Sequence, residues 1–65
     1  MTVKDVLLSP WISEHTIIMI NHKRTANRID ITKGHYYEDS ILDYSTYTVS
    51  SLIYRPDYDI LDINV

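Results

Sequence analysis

Cysteine and phenylalanine are absent from these 65 residues, glycine and alanine occur once each, and proline occurs twice. Without cysteine there is no disulfide and no thiolate metal site, an absence compatible with a reducing compartment. Nor is there a membrane-spanning run. The longest apolar stretch, IIMI at residues 17–20, is four residues long, where a helical span needs about 20. Lys4 and Asp5 interrupt the opening before any apolar h-region develops, so no signal peptide is expected. The expectation is a soluble protein of one domain, residues 1–65. A chain this short buries only about 60% of the surface that its unfolded form exposes. Scaffolds of that size lean on disulfides, a metal or oligomerisation, and here the first is ruled out.

Against these gaps stand ten isoleucines and six tyrosines. The isoleucines favour strands over long helices, because β-branched side chains suit a pleated, half-buried surface. All six tyrosines fall within residues 36–58, interleaved with Glu38, Asp39, Asp43 and Asp57. Charge is just as uneven. Residues 1–35 carry five basic and three acidic side chains, and residues 36–65 carry one basic and six acidic, within a net charge of −3. Such asymmetry points to two surfaces with different partners, or to copies meeting head to tail. A solvated acidic surface that keeps a small protein soluble is the plainer account.

The opening TVKDVLLSPW predicts a short helix. Thr2 stands as N-cap with Asp5 three positions on, and Val3, Val6 and Leu7 share one face. Pro10 stops it, or opens one further turn behind Ser9, and Trp11 is expected to fold back over Val6 and Leu7. HTIIMINH is apolar on both faces of a strand, which calls for an inner place in the sheet. RIDITK then alternates, with Ile29 and Ile31 expected inward and Arg28, Asp30 and Thr32 outward. The two segments make a hairpin with a rather long polar loop, and Gly34 ends its second strand or supplies a bulge.

EDSILDY predicts a short helix or turn with Ile41 and Leu42 tucked under. Residues 47–54 and 59–65 make a second hairpin across the turn RPDY, where proline presets the second position. Parity places Tyr47 in the core, and Leu61, Ile63 and Val65 inward. The sum is an α+β domain, one short N-terminal helix packed on a small, mostly antiparallel four-stranded sheet. The last strand is expected to leave an open edge, suited to pairing with another chain.

Chemistry-bearing constellations are sparse. A metal site would need His22 and His35 brought together with Asp30 or Glu38, while His15 and His22 point apart on a regular strand. Closed zinc sites show four ligands at diagnostic spacing; that spacing is lacking, and neither a metal nor a cofactor is expected. The serines lie in no nucleophile elbow, and a domain this small struggles to enclose a pocket of roughly 300 Å³. The protein is therefore expected not to be an enzyme. The basic residues Lys23, Arg24, Arg28 and Lys33 span the first hairpin, with Tyr36 and Tyr37 just beyond. They make a sheet-based nucleic-acid binder the alternative reading, extending to an oligomer with weak metal-assisted nicking through Asp30 and Glu14. A pI of about 5.3 weighs against it.

Tyrosine supplies contact area and a polar tip at low entropy cost, so it concentrates at interfaces. Tyr44, Tyr54 and Tyr58, with Asp57 and Asp59, are the candidate protein-binding residues. They describe an acidic, aromatic surface suited to a basic partner, such as a protein that handles nucleic acid.

The opening MTVKDVLL, the apolar strand after a short gap and the ending DILDINV resemble a loose group of very small proteins of bacteriophages, prophages and gut Firmicutes. Many of these begin Met-Thr-Val-Lys-Glu/Asp-Leu, and the likeness covers about two thirds of the chain in pattern. It implies a mobile-element origin and a place in the bacterial host cytoplasm. It also implies a role in binding and blocking a host machine, as anti-CRISPR and other anti-defence inhibitors do. Two departures stand out, SPWISEH in place of a longer charged helix, and the density of tyrosine.

Overall fold

Thr2 and Asp5 close the start of the first helix by bonding to each other. In the computed structural model, which describes residues 1–65, the Thr2 amide donates to the Asp5 carboxylate at 2.9 Å and the Asp5 amide donates to Thr2 Oγ1 at 3.4 Å. This reciprocal capping box satisfies donors that a helix start otherwise leaves bare. The bonds from Thr2 hold the Asp5 carboxyl below its ordinary 3.8. Two further first-turn amides, of Val3 and Lys4, donate to the Tyr47 and Ser45 carbonyls at 2.9 Å each. Helix α1 spans Val3–Leu7 and buries Val3 and Val6.

Four strands follow, β1 (Ile17–Thr25), β2 (Arg28–Gly34), β3 (Ser51–Arg55) and β4 (Ile60–Asn64), with a second short helix α2 (Asp39–Leu42) between β2 and β3. The sheet order is β2-β1-β4-β3. β1 pairs antiparallel with β2 and parallel with β4, and β3 pairs antiparallel with β4. This is the expected α+β architecture, a short helix on a mostly antiparallel four-stranded sheet. β1 takes an inner position, as its two apolar faces require. β4 does not form an edge. It lies between β1 and β3, and the free edges belong to β2 and β3.

Both helices lie on one side of the sheet. The core consists of Val3 and Val6 from α1, Ile41 from α2, and Ile18, Ile20, Leu61 and Ile63 from the two central strands. Register brings these last four together, Ile18 beside Leu61 and Ile20 beside Ile63. Gly34 stands opposite Ile18 on β2, where a Cβ would meet Glu38 Oε2 at 2.9 Å and Ile41 Cγ1 at 3.2 Å. Only glycine lets α2 approach that closely.

Several local expectations are corrected. Ile29 and Ile31 face away from the helices and are 59% and 61% exposed, while Asp30 and Thr32 take the covered side and are half-buried. Asp30 is drawn there by Arg24 and Arg28, which both donate to its carboxylate, at 2.7 and 3.2 Å. The first hairpin loop is short, only Ala26 and Asn27 lying between β1 and β2, with a register irregularity between Lys23 and Thr25. β3 begins at Ser51, since residues 45–49 run beside the N-terminus, where Val49 donates to the Met1 carbonyl and Thr48 bridges Thr2. Tyr47 is consequently exposed, and Leu42 is too. Trp11 packs edge-on against Tyr54 at 5.5 Å. Asp62, on the outward side of β4, is nonetheless buried.

Candidate functional site

The turn between β3 and β4 is rigid for reasons that its sequence supplies. Pro56 presets the second position, and the Tyr58 amide donates back to the Arg55 carbonyl at 3.3 Å. Asp59 then adopts φ 50°, the one left-handed non-glycine residue of the chain, in a region that aspartate tolerates better than most residues. Three bonds hold it. Its Oδ1 accepts from Thr16 Oγ1 at 3.0 Å and from the Tyr54 hydroxyl at 2.8 Å, and its carbonyl accepts from the Ile17 amide at 2.9 Å. Asp59 thus ties the turn to the beginning of β1. Donating to this carboxylate raises the Tyr54 phenol above its ordinary 10.0.

Around this tie the sheet end is aromatic and acidic. Trp11 is 51% exposed, Tyr54 42% and Tyr58 74%. Asp57 is exposed in the turn, and Glu14 is exposed two residues before Thr16. Trp11 and Tyr54 meet on the helix side. Tyr58 leans the other way, bordering with Met19, Ile60, Arg55 and Asp62 a shallow hollow of about 380 Å³ on the uncovered face. Tyr54, Asp57, Tyr58 and Asp59 therefore share one end of the molecule. Asp59 has its carboxylate engaged internally and shapes the turn.

Tyr44 does not join them. It packs with His22 at 5.7 Å and Tyr47 at 4.9 Å, ring centre to ring centre. His22 stands five residues along β1 from Ile17, roughly 17 Å at 3.3 Å per residue. His22 Nδ1 is buried there without a hydrogen-bond partner. A third aromatic group, Tyr36, Tyr37 and His35, lies past the end of β2, with His35 stacked on Tyr37 at 5.4 Å. The His35 amide and ring both bond the Glu38 carboxylate, which the backbone bond above all holds below its ordinary 4.5. An apolar groove of about 490 Å³ runs beside this group, bordered by Leu7, Leu8, Tyr36, Tyr37, Leu42 and Lys4.

The four basic candidates divide by strand parity. Lys23 and Lys33 project from the uncovered face, and Arg24 and Arg28 from the other, where Asp30 binds both. Those bonds, from Arg24 first, hold the Asp30 carboxyl below its ordinary 3.8. No strand tyrosine projects from the face that carries the two lysines; isoleucines occupy the positions where stacking rings would be needed. No three His, Asp or Glu side chains converge as a metal-binding group. No helix is long and apolar enough to cross a membrane.

Trp11 and Glu14 are the members of the aromatic-acidic end that residue pattern did not reveal. The SPW turn sends the tryptophan across to β3, a long-range contact that no local spacing encodes. Comparison with protein-family models, curated proteins and solved structures finds no match.

Proposed function

We propose that this protein is a non-enzymatic binding module whose aromatic-acidic end, built from Trp11, Tyr54, Asp57 and Tyr58 on the Asp59 tie, docks on a basic surface of another protein. One observation carries the reading. Three large rings stand about half-exposed or more around a turn that internal bonds already hold rigid, so docking them costs little ordering entropy. Aromatic anchors rimmed by charge are the composition that dominates binding energy in protein interfaces. The partner chemistry follows from the acids: a surface evolved to hold phosphates would accept Glu14 and Asp57 in their place. Together with the resemblance to small phage-type proteins, this favours inhibition of a host defence or nucleic-acid-processing protein, in the manner of an anti-CRISPR.

The test is quantitative capture from a bacterial host lysate on immobilised protein, followed by titration of the purified partner. Tyr58→Ala and Trp11→Ala are each expected to weaken binding about tenfold or more. Asp57→Lys is expected to slow association, most visibly at low salt. Equal affinity in all three variants would remove this surface from the proposal. A mobility shift at low salt addresses the alternative, in which Lys23, Arg24, Arg28 and Lys33 hold nucleic acid. Saturable retardation lost on Lys23→Glu with Lys33→Glu would favour it.

A further inference from the structure

We propose that the uncovered face of the sheet is a dimer interface, on which a second copy of this chain stacks sheet against sheet. Strand parity puts Ile17 and Met19 of β1, Ile29 and Ile31 of β2, Ile60 of β4 and Ile53 of β3 on this face. Ile60 lies beside Ile17, Asp62 stands between Met19 and Ile53, and Asn21 stands beside Ile31. Ile29, Ile31 and Ile53 are each more than half exposed, and exposed apolar side chains gathered on one face mark a surface for association.

Several polar groups on the same face already have partners within the chain. Asp62 is the face's only acid, and Arg55 Nε covers it at 2.8 Å. Asn64 Nδ2 donates to Ser51 Oγ at 2.9 Å. Drying this face therefore leaves no unpaired carboxylate beneath a partner. The two unpaired cations stand at the margin, Lys33 on the edge strand β2 and Lys23 close to the hairpin turn. Long side chains there reach water while their stems cover apolar surface.

Area and charge select a second copy as the occupant. The body measures 32 × 25 × 19 Å, so no face is broader than 32 × 25 Å. An ellipse of those axes bounds the footprint at roughly 630 Å² per copy, or about 1,250 Å² for two, which reaches the lower end of the range of specific interfaces. Charge then chooses the symmetry. Glu14 and Asp57 sit at one end of the strands and Lys23 at the other end of the uncovered face, while Arg24 and Arg28 turn to the covered side, on Asp30. A two-fold axis lying in the interface and perpendicular to the strands sets each acidic end over the partner's basic end; an axis along the strands would set like ends together. Stacking also gives this chain, whose core is seven apolar residues on one side of its sheet, a second core on the other. Scaffolds of this size commonly draw on such a supplement.

Sedimentation velocity on the full chain, from about 10 μM to about 1 mM, tests the proposal. The expected result is a species of twice the 7.7 kDa chain mass, with isotope-filtered NMR showing intermolecular contacts from the Ile31, Met19 and Ile53 methyl groups, each chiefly to its own strand in the second copy. Ile31→Glu with Ile53→Glu is expected to raise the dissociation constant at least a hundredfold, on the order of two hot-spot losses. Both positions are exposed, so amide dispersion should stay native. Leu8→Glu, in the groove on the opposite side, should leave association unchanged. A monomer up to the highest concentration, a double variant that dimerises like the parent, intermolecular contacts confined to the β2 or β3 backbone edge, or loss of the dimer in Leu8→Glu would each overturn it.

Discussion

The two faces of the sheet are made of much the same residues and meet opposite surroundings. On the covered side Ile18, Ile20, Leu61 and Ile63 are wholly enclosed by α1 and α2. On the uncovered side Ile29, Ile31 and Ile53 keep more than half of their surface in water. A strand isoleucine in this protein therefore does not by itself mark interior. What distinguishes the faces is the partner each meets: helices supplied by the same chain on one side, and nothing from that chain on the other. The enclosed core belongs to the first face, and recognition is proposed for the second and for the turn at its end.

The strongest challenge to this division is a truncation on each face. Ile63→Ala should cost about 2–5 kcal/mol, enough to unfold much of a domain whose whole stability is on the order of 3–10 kcal/mol. Urea unfolding followed by circular dichroism reads it. Next comes the Asp59 tie. Asp59→Ala removes two side-chain hydrogen bonds and leaves a β-carbon at φ 50°, a loss of about 2 kcal/mol. Asp59→Gly should recover about 1 kcal/mol of that, because only the backbone part is relieved. Thr2→Ala opens the capping box and should cost about 1 kcal/mol. At the bottom of the scale, Ile31→Ala at concentrations where the chain is monomeric should change stability by less than about 0.5 kcal/mol. A larger loss there would mean that the uncovered face supports the monomer after all.

Dependence on pH sharpens the same contrast. Asp5, Asp30 and Glu38 all have carboxyl groups held below their ordinary values by hydrogen bonds. Their contribution is complete above the unfolded carboxylate range near 4 and is lost as pH falls through the lowered folded values. Tyr54 has the opposite sign. Its phenol is raised by Asp59, so its contribution is complete below about 10 and is lost as pH climbs through the raised value. Asp5 and Tyr54 are exposed and Asp30 and Glu38 only half-buried, so these limbs should be shallow and weaken in salt. Asp59→Asn should flatten the alkaline limb and leave the acid limb in place.

Much of the architecture was legible in residue pattern. Thr2 with Asp5, the two-sided apolar run of β1, the RPDY turn and the alternation of Leu61 and Ile63 each imposed their local geometry. Periodicity of two tells which residues share a face, but not which of the two faces will be covered. Hence alternation alone puts Ile29 and Ile31 inward, although α2 approaches β2 at Gly34 and the Arg24–Asp30–Arg28 group occupies the covered side at the other end. Strand order was hidden for a related reason. Nothing local in DILDINV distinguishes an edge from a centre, and its central place follows from pairing with residues over forty positions earlier. The candidate site was partly legible. The pattern marked Tyr54, Asp57, Tyr58 and Asp59, which share a turn, but not Trp11, which arrives from a distant segment.

The parallel seam between β1 and β4 has its own consequence for how the chain assembles. Each antiparallel hairpin joins neighbours in sequence and can zip from its own turn. Neither encloses a side chain until residues 17–21 meet residues 60–64. Closing that distant junction is where loop entropy must be met, so it should set the rate of folding and make both halves melt as one. A substitution at the junction, such as Ile18→Val, should then slow refolding, while one near the Ala26–Asn27 bend should chiefly hasten unfolding.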